Sequence, residues 1–221
     1  MPSYTFRWDV VWANLPFLMS GLKMTLVISA ITLVASIVIG MIVALADMSR
    51  FWPVRFAGQL WGEIIRNTPI LVQLLWVYYV LPIVFGVEVS AFAACIIGLS
   101  VYSSAFIAEV YRAGIQSVPK GHREAAQVLG LSQFQTFSRI ILPQAIKTTL
   151  PPLAANFVQL IKYSSLASVI SVEEVTRRAT ELSSSTFRPL EIFSFVAIIY
   201  LAICWPLAQA IRIWEHRLAS R

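Results

Sequence analysis

The chain of 221 residues is 58% hydrophobic and only 13% charged, with a mean hydropathy of +0.74 and a formal net charge of +6. Soluble domains are about half apolar and about a quarter charged, so this composition excludes an ordinary soluble protein and indicates a polytopic membrane protein. Lysine and arginine gather at the ends of apolar runs. This pattern favours membrane topology, rather than nucleic-acid binding, as the reason for the positive charge.

Five apolar runs predict about five membrane-spanning helices and an all-α fold. A run of about twenty residues crosses a hydrocarbon core of about 30 Å. We expect Pro69 to kink the second span, and Pro151 with Pro152 to break the fourth near its start. The aromatic residues within 1–20 predict a segment lying at the membrane interface. The five runs are residues 24–46, 61–85, 89–108, 148–172 and 192–211.

The distribution of basic residues predicts the orientation of the spans. The turn at residues 86–88 has no lysine or arginine, whereas residues 109–147 carry five, so we place the latter segment in the cytoplasm. The tail with Arg212, Arg217 and Arg221 follows the same rule, and the N-terminus is then outside. Lys23 and the three arginines of residues 173–191 conflict with this topology, so four or six spans remain alternatives.

A polar segment at residues 119–143 predicts two short helices that project from the membrane. Good helix formers run from Glu124 to Leu129, and Gly130 allows a left-handed residue at the helix end. Ser132 and Gln135 fit a capping box that starts a second helix. In that helix we expect an apolar stripe that anchors it to the membrane domain, and an end at the proline. The stripe and the proline are Phe134, Phe137, Ile141 and Pro143.

The spacing within this segment resembles the cytoplasmic loop of ATP-binding-cassette importer permeases. Glu124-Ala125-Ala126 is followed after three residues by Gly130, and after nine more by Ile140-Ile141-Leu142-Pro143. The runs from Arg66 to Gln73, from Glu109 to Ile115 and from Leu142 to Ala145 resemble the polar amino acid branch of that family. The resemblance covers the chain from about Gly21 to its C-terminus.

The resemblance implies a type I importer-permease fold in one transmembrane domain, residues 1–221, of a multi-pass protein of the bacterial inner membrane. The coupling helix lies between helices three and four and docks on an ATPase subunit. The docking residues implied are Arg123, Glu124, Ala125, Ala126 and Gly130. Small alanines let a partner approach closely, while Arg123 and Glu124 offer charged contacts at the rim.

The resemblance also implies partners. They are a second permease of the same or a related kind, two ATP-binding-cassette ATPase subunits, an extracytoplasmic solute-binding protein and membrane lipid. The sequence contains no Gly-x-x-x-x-Gly-Lys-Ser/Thr motif, so we assign ATP to the partner subunit. We also expect no cofactor, catalytic residue or metal in this chain.

Polar residues inside the spans predict a substrate site, because such residues face a protein interior or a cavity. Glu63, Arg66 or Asn67, Ile70 and Gln73 are expected to share one helical face. A zwitterionic amino acid needs an acceptor for its ammonium group and donors for its carboxylate. The alternative is that these residues form hydrogen bonds between helices and structural ion pairs. The candidate substrate-binding residues are Asn67, Thr68, Gln73, Ser103, Ser104, Glu109, Asn156, Gln159, Lys162 and Ser164.

Two features bear on the substrate. Many relatives carry Asp-Thr-Ser after the position of Lys162, whereas this chain has Tyr163-Ser164-Ser165 and so lacks that carboxylate. With Arg66 and Lys162 present, we predict an acidic or neutral polar amino acid rather than a cationic one.

Two other functional classes compete with the importer. A self-contained channel or ion-coupled carrier would work without an ATPase and is often built from inverted repeats, but the two halves of the chain show no self-similarity. A membrane enzyme is disfavoured because His122 and His216 are isolated and no His-Glu-x-x-His or Gly-x-Ser-x-Gly motif occurs.

Overall fold

A computed structural model of the protein describes residues 4–219, and over that range every regular element is helical. This confirms the all-α prediction. Two π-helical segments, Trp76–Val80 and Phe137–Ile141, join α-helices end to end, and the 3₁₀ helix Ser164–Ile170 directly follows an α-helix. The α-helices are α1 (Asp9–Ala13), α2 (Leu15–Asp47), α3 (Trp52–Arg66), α4 (Ile70–Leu75), α5 (Leu81–Phe85), α6 (Ala91–Gln116), α7 (Lys120–Val128), α8 (Gln133–Thr136), α9 (Leu142–Tyr163), α10 (Val175–Thr186) and α11 (Pro189–Ala219).

Within the described residues, four helical stretches are long and apolar enough to cross a membrane by themselves. Trp52–Arg66 and Ile70–Phe85 together give a fifth candidate, bent by 104°. The prediction of about five spans is therefore confirmed. The four unbroken stretches are Leu15–Asp47, Ala91–Gln116, Gln133–Ile170 and Pro189–Leu218.

The bend in the fifth candidate has a local cause. Pro69 lacks an N–H and disfavours helical conformation at the residue before it, so α3 ends at Arg66 and a new helix starts at Ile70. The predicted kink is confirmed. The expectation that Glu63, Arg66 and Gln73 share one helical face was wrong, because the break separates α3 from α4.

The other prolines interrupt the chain less than we expected. Pro143 does not end a helix, because it lies just after the π-turn Phe137–Ile141 inside the continuous helical stretch Gln133–Ile170, where the local change of hydrogen bonding accommodates it. Pro151 and Pro152 lie inside α9 without breaking it. Just before them, the Thr148 and Thr149 hydroxyls donate to carbonyls three residues earlier, a local adjustment that accompanies proline in membrane helices.

The chain forms two compact units. The first comprises the described parts of Met1–Thr32 with Ile70–Leu99 and Val158–Ala208. The second comprises Leu33–Pro69, Ser100–Phe157 and the described part of Gln209–Arg221. Residues 1–3 of the predicted interfacial segment, and Arg221 of the basic tail, lie outside the described residues.

The core of the first unit joins the N-terminal helices to the last two helices. At Gly21 a Cβ atom would lie 2.8 Å from the Cα of Val175, so α2 and α10 approach as closely as glycine allows. The apolar side chains buried around this contact are Val11, Leu18, Val175, Ala179, Leu182, Ile192, Val196 and Ile199.

A fully buried carboxylate holds the N-terminal segment against α11. Glu191 accepts hydrogen bonds from the Tyr4 hydroxyl at 2.5 Å and from the Arg7 backbone N–H at 2.8 Å. Arg188 donates to the carbonyl of Thr5 at 2.9 Å. Three polar contacts therefore fix the start of the described chain.

A second buried carboxylate caps α10. Glu174 accepts the backbone N–H groups of Thr176 and Arg177 at 2.9 and 2.7 Å, and the Tyr200 hydroxyl donates to it at 3.3 Å. These bonds satisfy donors that a helix N-terminus leaves free. Burial nevertheless dominates and raises the pKa of Glu174 to about 6 from an ordinary 4.5.

We expect the stability of the protein to fall as pH rises from about 4.5 to about 6. The folded state binds the Glu174 proton more tightly than the unfolded state does. Protonated Glu174 therefore stabilises the fold fully at pH values below its unfolded pKa, and this stabilisation is lost as the pH rises through its folded pKa. The loss is about 2 kcal/mol at 1.4 kcal/mol per pKa unit. Glu174→Gln should flatten the pH dependence of thermal unfolding in detergent over this range. Glu124→Gln, at an exposed site, should not, and an unchanged slope in Glu174→Gln would contradict the assignment.

Candidate functional site

The predicted projecting helix is α7, and its end is built as the sequence indicates. Gly130 has a φ of 71°, its N–H donates to Gln127 at 3.0 Å, and the N–H of Leu131 donates to Ala126 at 3.0 Å. These two bonds form a Schellman motif, whose left-handed residue is usually glycine. The end at Gly130 is confirmed, while the helix begins at Lys120, four residues before Glu124.

The predicted capping box at the next helix is also confirmed. The Gln135 N–H donates to the Ser132 hydroxyl at 3.2 Å, and the Ser132 N–H donates to the Gln135 side chain at 2.9 Å. The chain therefore turns from α7 into α8 within a few residues, with carbonyl groups at the end of α7 and N–H groups at the start of α8 paired.

The apolar stripe of this second helix differs from the prediction. Ile141 is buried, but Phe134 is 78% exposed and Phe137 is partly exposed. The i, i+3, i+7 spacing assumed a continuous α-helix, whereas the π-turn Phe137–Ile141 inserts an extra residue per turn and rotates the faces. Anchoring by Phe134 was therefore wrong.

The exposed side of α7 includes residues that the sequence analysis missed. Glu124 and Ala125 are exposed, as are the apolar side chains of Val128 at 88% and Leu129 at 76%. They follow Glu124 and Ala125 by one helical turn, so the 3.6-residue period was a usable signal. We call Glu124, Ala125, Val128 and Leu129 the exposed ridge. Ala126, in contrast, is fully buried in this chain.

Two side chains tie α7 to the membrane helices of the second unit. Arg123 donates from Nη2 to the Ile115 carbonyl of α6 at 3.1 Å. His122 Nδ1 lies 3.0 Å from the side-chain oxygen of Gln144 on α9. The exposed ridge is thus connected to two helices that continue into apolar stretches.

Among the candidate substrate residues, Ser103 and Asn156 meet directly. The Ser103 hydroxyl donates to Asn156 Oδ1 at 2.6 Å, and the fully buried Ser104 hydroxyl lies 3.4 Å from the indole N–H of Trp61. Each bond joins two helices of the second unit. This geometry is what the interhelical alternative describes.

Three other candidates in the second unit have partners in their own part of the chain, either a backbone carbonyl or a charged side chain. Asn67 donates to the Glu63 carbonyl at 2.8 Å, and Thr68 donates to the Ile64 carbonyl at 2.9 Å. Glu109 pairs with Arg112 and also lines a cavity of about 690 Å³. Glu63 and Arg66 form the expected pair at 3.0 Å.

The remaining candidates belong to the first unit. Ser164 is fully buried, and its hydroxyl donates to the carbonyl of Ile161 at 2.8 Å. Gln159 and Lys162 are exposed on α9, and Gln73 is half-buried on α4. A substrate site shared by all ten residues stays a prediction. Among residues 4–219 no group of three His, Cys, Asp or Glu side chains is placed to hold a metal.

These helices define a multi-pass membrane protein, and sequence comparison assigns it to a transport family. The model of the family described as "Binding-protein-dependent transport system inner membrane component" matches residues 36–220. The chain belongs to this family and is an inner membrane protein.

Individual relatives match over nearly the whole chain. The chain is 39% identical to the glutamine transport system permease protein GlnP of Escherichia coli (strain K12), covering 96% of this chain and 98% of that protein. It is 37% identical to the L-cystine transport system permease protein TcyB of Bacillus subtilis (strain 168), covering 96% and 91%. These comparisons do not support the self-contained ion-coupled carrier.

One solved structure matches both fold and sequence. It is described as an amino acid ABC transporter with histidines, and it superimposes with a TM-score of 0.92 at 35% identity, covering 97% of this chain and 100% of that one. The predicted importer-permease fold is confirmed.

Ser103→Ala separates the two interpretations of the Ser103 and Asn156 pair. We expect a double-mutant cycle of Ser103→Ala and Asn156→Ala to give an interaction energy of about 1 kcal/mol in thermal unfolding, the scale of interhelical hydrogen bonds in membranes. Ser184→Ala, whose hydroxyl bonds only its own helix, serves as the control. An interaction energy of zero together with a raised KM for uptake would instead favour substrate binding.

Proposed function

We propose that this protein is the membrane-spanning permease subunit of an ATP-driven importer of polar amino acids, and that α7 is its coupling helix. The observation that carries the proposal is the exposed ridge, which places apolar and small residues in the open on a polar loop between two spanning stretches. Large exposed apolar side chains on a polar segment mark a protein contact. The contact is with the ATPase subunit.

The same geometry accounts for how movement of the ATPase reaches the membrane. A force on the exposed ridge is carried by Arg123 into α6 and by His122 into α9. Coupling in this sense is a difference in binding free energy between two states of the transporter, so the ATPase favours the state in which α7 fits its cleft better. In the docked complex Glu124, Ala125 and Gly130 face the ATPase, while Arg123 and Ala126 hold the helix in place from the inner side.

The chain acts with ATPase subunits and an extracytoplasmic solute-binding protein, as permeases of this family do. We propose two ATPase subunits and a second permease chain, identical or related, with residues 1–221 of each permease acting as one domain. Residues 4–14, which precede α2, lie at the membrane interface with their exposed aromatic side chains in contact with lipid. ATP is bound and hydrolysed by the partner, since the chain has no phosphate-binding loop motif.

Gly130→Asp tests the coupling role. A residue with a Cβ is strained at a φ of 71°, and the added carboxylate sits beside the exposed ridge. We expect loss of uptake and of substrate-stimulated ATPase activity in reconstituted vesicles, with normal membrane insertion. Gly86→Asp is a matched control, because Gly86 has a φ of 64° and open space around it but lies on the turn predicted outside the cytoplasm. Unchanged uptake in Gly130→Asp would contradict the proposal.

The substrate is proposed to be an acidic or neutral polar amino acid. Arg66 is already paired with Glu63, so the positive charge that supports this proposal is that of the exposed Lys162. The residue after Lys162 is Tyr163, where many relatives carry an aspartate. Relatives named for glutamine and cystine transport agree with a neutral substrate. Competition among labelled glutamate, glutamine and arginine should show preference for the first two. A strong preference for arginine would overturn the substrate assignment while leaving the coupling role intact.

A further inference from the structure

A polar cavity lies in the second unit where α2 ends and α3 passes α6. Its volume is about 690 Å³. The cavity is framed by a close helix contact, because a Cβ at Gly58 of α3 would lie 2.7 Å from the backbone nitrogen of Asp47. Neither the coupling helix nor most of the candidate substrate residues take part in it. Glu109 is the exception.

The charges that line this cavity do not cancel. The carboxylates of Asp47, Glu63 and Glu109 all lie within 4.0 Å of guanidinium groups of Arg66 or Arg112. Two further arginines, Arg50 and Arg55, line the same cavity and are exposed. Neither side chain has an ion pair or hydrogen bond within the part of the chain that the structure describes, so both guanidinium groups are available to an anion.

An apolar stripe follows on α3 from these arginines. Trp52, Phe56, Leu60 and Ile64 are spaced by four residues and all are exposed. Trp52 and Phe56 stack with their ring centroids 5.6 Å apart. Basic and aromatic residues at the end of a membrane helix lie at the level of the lipid headgroups, and the apolar face that continues from them meets acyl chains.

We propose that Arg50 and Arg55 bind the headgroup phosphate of an anionic phospholipid, with its acyl chains along Trp52, Phe56, Leu60 and Ile64. A free phosphate ion and a lipid headgroup would both contact the two guanidinium groups. Only a lipid would also contact the apolar stripe. A second copy of the chain would cover the stripe without using two unpaired arginines, so charge complementarity favours the lipid. The inference goes beyond transport and does not depend on which amino acid is carried.

Lipid binding to the purified full-length protein tests the proposal. Phosphatidylglycerol is titrated into delipidated protein in detergent, and the bound lipid is counted by native mass spectrometry. Arg50→Gln with Arg55→Gln should weaken binding about 30-fold, the contribution of two arginines at an anionic surface. Arg139→Gln with Arg212→Gln removes the same charge outside the cavity and should change binding less than about threefold. Equal weakening in the two double variants would overturn the proposal.

A second arm identifies the source of the phosphate. Trp52→Ser with Phe56→Ser keeps the charge and should weaken phosphatidylglycerol binding by about tenfold or more through loss of apolar burial. Displacement of the lipid by millimolar inorganic phosphate, or equal binding of phosphatidylcholine, would overturn it. The proposal would also be overturned if the protein formed a dimer that Trp52→Ser with Phe56→Ser dissociates while lipid binding is unchanged. In that case a second copy of the chain would occupy the apolar stripe.

Discussion

The fold depends on the requirement that backbone N–H and C=O groups inside a membrane find partners within the chain. Continuous helices meet this requirement, and the structure keeps its apolar stretches helical even through Pro151 and Pro152. Where the side-chain faces along a helix shift, the shift occurs at a π-turn, which keeps the helix unbroken. The chain bends sharply at Asn67 to Pro69, where exposed Asn67 and Thr68 side chains donate to the carbonyls of the last turn.

Short polar contacts then connect these helices to the loop between them. Arg123 and His122 link α7 to α6 and α9. Within α6 itself, Glu109 pairs with Arg112 near the end of the helix. The sequence placed Arg123 at the rim of a partner contact and left Glu109 as either a substrate ligand or a structural ion pair, and the structure shows the ion pair. In the folded chain Arg123 donates to the Ile115 carbonyl of α6, so its first effect is to position the helix whose exposed side is proposed to meet a partner.

Local signals predicted much of the architecture. Gly130 and Ser132 act through their own backbone geometry and through partners within five residues, so their roles were visible in the sequence. Pro69 was also correctly assigned. Pro143 was not, because its effect depends on the π-turn before it, and Phe134 was misplaced for the same reason. The 3.6-residue helical period could have predicted the whole exposed ridge. Val128 and Leu129 were missed because the docking residues were chosen for the small size of the alanines.

Long-range polar partners could not be predicted. Glu174 and Glu191 lie in the polar segment 173–191, where nothing in the sequence indicates burial, yet both are fully buried and bond Tyr200 and Tyr4 respectively. The Ser103 hydroxyl meets Asn156 across 53 residues of sequence. No periodicity or motif carries such pairings. Such pairings also explain why the candidate substrate residues include side chains that instead cap a helix, form an ion pair or join two helices.

The contact between Tyr4 and Glu191 also constrains the order in which the protein is made. The two residues are 187 positions apart, so the N-terminal segment leaves the ribosome long before its partner exists. At typical synthesis rates of about 5 to 20 residues per second, the interval is on the order of 10 to 40 s. During that time its aromatic side chains have only the membrane surface and the first helices to contact. Helix α11, which inserts late, is therefore the one that holds Tyr4 and Arg7 in place.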